Sequence, residues 1–172
     1  MVSHYTANNK PRSTDEYSPG GKAKLRPDRP TLVYTAKARQ AYGSDVPIII
    51  GGLEASLRRL SHYDFWTDKV RKPIILDAKA DLLVYGMGER QSLEIVKRLD
   101  GGESIQDMVD IQGTVYAASR AKFQELLFDT IEIPSFEEVA DRDKQSNTPT
   151  ESGKLAYAKA FQIQMMQQNP VR

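Results

Sequence analysis

The chain has 172 residues, with 24 Lys and Arg against 23 Asp and Glu and a formal net charge of +1. That length fits one domain with a sizeable core, and the balanced charge disfavours a generally basic nucleic-acid binder. Zero cysteines and only two histidines, His4 and His62, exclude a disulfide scaffold, a thiol nucleophile, a Cys-held iron–sulfur cluster and a multi-His metal site.

Residues 1–27 carry much of the local positive charge, from Lys10, Arg12, Lys22, Lys24 and Arg26, together with Pro11, Pro19, Gly20, Gly21 and Pro27. So few apolar groups predict an extended, flexible basic arm. Asp28-Arg29-Pro30 reads as a helix start, with Asp28 as the cap, and Gly43 suits the helix stop. The run 46–50, Val-Pro-Ile-Ile-Ile, predicts a strand buried on both faces, as in a parallel sheet. It ends in Gly51-Gly52, and 54–60 follows with a helical pattern. A weaker strand is expected at 73–77 and another at 82–85, closed by Gly86-Met87-Gly88-Glu89. Residues 91–99 space Leu93, Ile95, Val96 and Leu99 as a helix, with Gly101-Gly102 as the stop. A short helix at 104–108 and a strand at 114–118 follow. Ser135 and Glu138 form a capping-box pattern. Residues 141–149 read as a polar linker, and 151–168 as a long helix with Leu155, Ala158, Phe161 and Met165 on one face.

Strand–Gly-Gly–helix followed by strand–Gly-x-Gly-Glu–helix is the grammar of an α/β fold. In open parallel sheets, ligands sit beyond the carboxyl ends of the strands, where Gly51, Gly52, Gly86 and Gly88 fall. Either these are turn glycines, the simpler reading, or they open the backbone to an anion. The spacing matches neither Gly-x-Gly-x-x-Gly nor a Walker loop. Residues 54–68 then gather Glu54, Arg58, Arg59, His62, Tyr63, Asp64, Trp66 and Asp68. The arginines can clamp a carboxylate or phosphate, and His62 can carry a proton. In the alternative reading the aromatics cap the sheet and the charges pair with one another. Leu53, Leu57 and Leu60 are expected to face the core. His62, Tyr63, Asp64 and Trp66 are expected to fold back over the loop 86–89, with Arg58 or Arg59 pairing with Asp64, Asp68 or Glu89. Glu89 at a helix start is explained by the helix dipole alone.

The segments GGLEASLRRLSHYDFW (51–66), ADLLVYGMGER (80–90) and RPDRPTLVYT (26–35) resemble the N-terminal region of the YgiQ-type radical SAM family. The likeness runs through residues 4–140 and on toward Asn169-Pro170. It implies a multi-domain Fe-S oxidoreductase-like protein whose N-terminal region is a cobalamin-binding-type, Rossmann-like domain. A barrel-like core with a Cys-x-x-x-Cys-x-x-Cys motif would follow, holding a 4Fe–4S cluster that cleaves S-adenosylmethionine. This chain lacks those cysteines, so no catalytic or metal-binding residue transfers to it and it holds no cofactor of its own. The expectation is an incomplete Rossmann-like α/β domain at 28–140, cut from a longer protein. It is preceded by the arm at 1–27 and followed at 141–172 by a linker and helix leading to the absent catalytic domain of the same polypeptide. Two rival roles stand beside this accessory one: a module binding an anion, nucleotide or cobalamin-like ligand at the glycine loops, and a purely structural docking domain. Open glycine loops beside 54–68 would mark the first, and an exposed apolar patch there the second. No apolar run approaches the roughly 18 residues of a membrane span, and the polar start lacks a secretory core, which points to the cytoplasm. Nothing in the sequence specifies an oligomeric state.

Overall fold

The computed structural model describes residues 4–6, 8–119 and 133–141. The chain divides into two compact units, one of residues 1–59 and 74–117, the other of 60–73 and 118–172.

The first unit is a mixed α/β structure. Helix α1 (Pro30–Tyr42) starts on Pro30 and stops at Gly43, whose left-handed φ of 76° lets its amide reach the Arg39 carbonyl. Strand β1 (Ile49–Ile50) runs into α2 (Gly52–Leu57), and the chain leaves the unit after Arg59. It returns through α3 (Ile74–Ala78) into β4 (Leu82–Val84), the central strand, then α4 (Glu89–Asp100), a 3₁₀ turn at Ile105–Asp107 and β5 (Thr114–Val115). The sheet order is β1-β4-β5. β1 pairs with β4 in parallel, Ile49 opposite Leu82 and Ile50 opposite Leu83. β5 pairs antiparallel, Leu83 opposite Val115, so the expected parallel sheet is parallel on one side only.

All three residues of β4 are buried, and they feed two cores. Leu83 packs with Ile50, Ala55, Ile74, Ile75, Ala78 and Ala80, joined by Leu32 of α1. Leu82 and Val84 point the other way, into Ile95 of α4, Ile105, Met108 and Ile111. Burial on both faces is why this strand reads as an unbroken apolar run. Arg39 closes the far end: its guanidinium donates to Asp81 Oδ2 at 2.6 Å and to the Val46 carbonyl at 2.9 Å, while the same Asp81 oxygen accepts the Ile48 amide at 2.7 Å.

Four expectations are corrected here. Residues 73–77 are not a strand: Pro73 precedes α3 and 74–77 lie within it, with Ile74, Ile75 and Ala78 buried while Leu76 and Asp77 face water, a helical rather than alternating pattern. The strand expected at 46–50 pairs only at 49–50; Val46 is exposed and precedes it. Asp28 does not cap α1: its carboxylate is taken by His4 and Tyr5, and α1 is closed instead by Glu54, as set out below. In the arm expected to be extended at 1–27, the described residues form turns around a buried Asp15, with isolated bridges pairing Tyr5 with Pro11 and Thr14 with Lys22.

The second unit contains a hairpin of β2 (His62–Asp64) and β3 (Lys69–Arg71), with helix α5 (Phe136–Ala140) against β3. Lys72 places its ammonium 5.4 Å from the Phe136 ring centroid. The capping box expected at α5 is present, with Ser135 Oγ accepting the Glu138 amide and the Glu138 carboxylate accepting the Ser135 amide. The linker at 142–149 and the helix expected at 151–168 lie outside the described residues.

Candidate functional site at the carboxyl end of the sheet

The carboxyl ends of β1 and β4 place both glycine pairs at one end of the first unit. Gly52 and Gly86 take left-handed φ of 79° and 73°, which makes glycine the fitting residue at each turn. Gly51 and Gly88 are required by closeness instead. A Cβ on Gly51 would stand 3.2 Å from the Val84 carbonyl oxygen, and one on Gly88 only 2.5 Å from Val84 Cγ1. These two glycines let the loops settle onto β4.

α2 is fastened to the second glycine loop. Ser56 Oγ accepts the Gly86 amide at 3.2 Å. Arg59 donates to the Ser56 carbonyl and holds its guanidinium 4.8 Å from the Tyr85 ring centroid. Of the stretch 54–68 expected to fold over this loop, Ser56 meets Gly86 and Arg59 meets Tyr85. Ser56 is the residue that the sequence did not announce, since a serine in a six-residue helix has no pattern of its own. Glu54 serves α1: its Oε2 accepts the Thr31 amide at 3.2 Å and the Thr31 hydroxyl at 2.6 Å. A carboxylate at those first amides satisfies donors that the helix cannot, and complements its dipole. Arg58 lies 3.5 Å from Glu54, and its carbonyl accepts the Ile74 amide at 2.9 Å. Glu89 is the exposed first residue of α4.

His62, Tyr63, Asp64 and Trp66 belong to the second unit and build the hairpin. The buried Asp64 accepts the Trp66 amide at 3.3 Å and the Thr67 hydroxyl at 3.0 Å, and lies 3.4 Å from Arg71 Nε. Tyr63 donates to Asp68, which carries a φ of 49° at the turn. His62 Nδ1 sits 3.1 Å from the Leu60 carbonyl, and Trp66 meets Phe65 edge-on at 5.9 Å.

The apolar side chains overturn another expectation. Leu53 is 76% exposed and Leu57 66%, so these two of the three leucines expected to face the core face outward, while Leu60 is half-buried. Ala55 alone of α2 is fully buried, because a helix this short, pressed by Ser56 and Arg59 onto the loop, turns only its small residue inward. Met87, between the two loop glycines, is 87% exposed.

No cysteine exists to hold an iron–sulfur cluster, and among the described residues no group of three His, Asp or Glu side chains gathers as a metal site. The residues present do not fit a cluster. Among the described residues no helix is long and apolar enough to cross a membrane.

The family model described as Radical SAM N-terminal matches residues 1–172. A UPF0313 protein of Geobacter sulfurreducens is 47% identical over 171 residues, covering 99% of this chain and 26% of its own length. A UPF0313 protein of Methanocella arvoryzae is 46% identical over 170 residues, with 99% and 26% covered. One from Methanosarcina acetivorans is 42% identical over 193 residues, with 99% and 24% covered. No solved structure matches. The chain spans about a quarter of the length of these relatives, and it belongs to the radical SAM N-terminal family, the N-terminal region of UPF0313 proteins.

Proposed function

We propose that this chain is the accessory N-terminal region of a cytoplasmic radical SAM protein, and that it docks on the remainder of the same polypeptide through Leu53, Leu57 and Met87. In this reading the rest of the protein holds the 4Fe–4S cluster and S-adenosylmethionine, and this region, a partial Rossmann-like domain, turns over nothing alone. One observation carries it: three large apolar side chains stand mostly in water at the carboxyl end of the sheet. Apolar groups gathered at one end of a sheet are the mark of a partner surface. The matching relatives supply an occupant, since about three quarters of their length lies outside the matched region. The ligand-module reading has less support at this end. Glu54, Ser56 and Arg59 are engaged by Thr31, Gly86 and Tyr85, so the polar groups beside the glycine loops serve the scaffold.

The test is charge insertion on that face. In the full-length protein, Leu53→Glu with Leu57→Glu is expected to speed proteolytic release of the N-terminal region about a hundredfold or more, since each of the two buried leucines contributes about 1.5–3 kcal/mol. Both positions face water in this chain, so its own melting temperature stays put. Release at the wild-type rate contradicts the docking face.

A further inference from the structure

Side chains between His4 and Asp28 line a half-open cavity of about 300 Å³, at the small end of the range that holds small molecules. Its wall contains two acids, and both are engaged. Asp15, with a side chain 1% exposed, accepts Arg26 Nε at 2.8 Å and Arg26 Nη2 at 2.7 Å, with Ser18 Oγ at 2.9 Å and the Tyr17 amide at 3.1 Å. Asp28 lies 3.0 Å from His4 Nδ1 and accepts the Tyr5 hydroxyl at 3.0 Å. His4 Nε2 stands 3.4 Å from Asp15 without a hydrogen bond to it. Arg26 holds the Asp15 carboxyl well below the usual carboxylate range, and the His4 contact lowers Asp28, so both stay ionised at neutral pH.

Two cations on the same wall have no such acid. Arg12 gives its Nε to the Tyr5 carbonyl at 3.1 Å, which leaves both terminal nitrogens of the guanidinium without a hydrogen-bond partner among the described residues. Lys24 forms no ion pair among the described residues, although it lines the cavity from a backbone with φ 65°. Tyr5, Pro11 and Pro27 complete the lining with apolar surface. An arginine fork and a lysine ammonium that line one cavity favour an oxyanion. The volume exceeds that of a bare phosphate, and the ring surfaces favour carbon.

We propose that this cavity binds a small organic oxyanion, its phosphate or carboxylate held by Arg12 and Lys24 and its carbon skeleton lying against Tyr5, Pro11 and Pro27. The Asp15–Arg26 pair and the His4–Asp28 contact hold the cavity open in advance, which lowers the cost of ordering it on binding. The cavity shares no residue with the Leu53, Leu57 and Met87 face, so either assignment stands or falls without the other.

Titration calorimetry on the full-length protein tests this, with phenyl phosphate, benzoate and inorganic phosphate as probes. An aromatic oxyanion is expected to bind saturably and more tightly than inorganic phosphate; preference for phenyl phosphate assigns a phosphate ester, and preference for benzoate a carboxylate. Arg12→Gln and Lys24→Asn should each weaken binding about tenfold, the loss of one charge-assisted hydrogen bond. Asparagine tolerates the left-handed backbone at position 24, so that variant keeps the fold even if Arg12→Gln does not. No saturable binding of either aromatic probe, or unchanged binding in folded Lys24→Asn, overturns the proposal.

Discussion

A methyl group at Gly88 would meet Val84 Cγ1 at 2.5 Å, inside the core on the α4 side of the sheet. Gly88 has φ −93°, which any residue adopts, so Gly88→Ala tests packing free of backbone strain. Overpacking of this kind costs about 1–3 kcal/mol. A lower denaturant midpoint with an unchanged slope is the expected result, and an unchanged midpoint would mean that the loop can lift off β4. Asp15 tests electrostatics at the same scale. Its folded-state carboxyl titrates below its unfolded value, because Arg26, Ser18 and the Tyr17 amide all favour the anion. The contribution is therefore complete above the unfolded value of about 3.9 and is lost as pH falls through the lower folded value. Asp28 and Asp110 shift in the same direction, through His4 and Arg98 respectively. Melting temperature should fall with acidification below about pH 5. Asp15→Asn should melt lower at neutral pH and show a flatter acid limb; parallel acid limbs would show that Asp15 is not held as described.

At the scale of elements, the hairpin of β2 and β3 rests on one carboxylate. Asp64 satisfies the Trp66 amide and the Thr67 hydroxyl and faces Arg71 across the turn. Asp64→Ala removes the buried acceptor of those bonds, at a cost of about 1–3 kcal/mol. Amide exchange across 62–71 should quicken first, ahead of β4; uniform change across the protein would show that the hairpin has no separate stability. The turn at Asp68 carries no glycine, which is why the sequence reads as a helix end where a hairpin stands. The elements legible beforehand are those with chemical punctuation: Pro30 and Gly43 bound α1, glycines bound α4, and Ser135 with Glu138 caps α5. Segments of five residues without such marks were open to either period, and Ile74–Ala78 shows the limit. Two adjacent isoleucines resemble a strand until Ala78, four residues after Ile74, is seen buried beside them. The candidate site divides in the same way. The glycine turns were legible because positive φ and close approach select glycine, whereas the Ser56–Gly86 bond and the outward leucines depend on how α2 rolls against the loop.

At the scale of the whole molecule, the exposed leucines of α2 and Met87 fit a chain that makes up about a quarter of its matching relatives. In the proposed reading the remaining polypeptide closes over this face, and the carboxyl end of β1 and β4 serves docking rather than chemistry. The absence of cysteine from the sequence agrees with this division of labour, since a thiolate-held cluster needs ligands from elsewhere. A photo-crosslinking residue placed at Met87 in the full-length protein, followed by peptide mapping, tests the docking claim most directly. The account predicts a dominant crosslink to a segment of the same polypeptide beyond residue 172, lost when Leu53→Glu and Leu57→Glu are combined; a Met87 position that yields no intramolecular crosslink beyond residue 172 would contradict it.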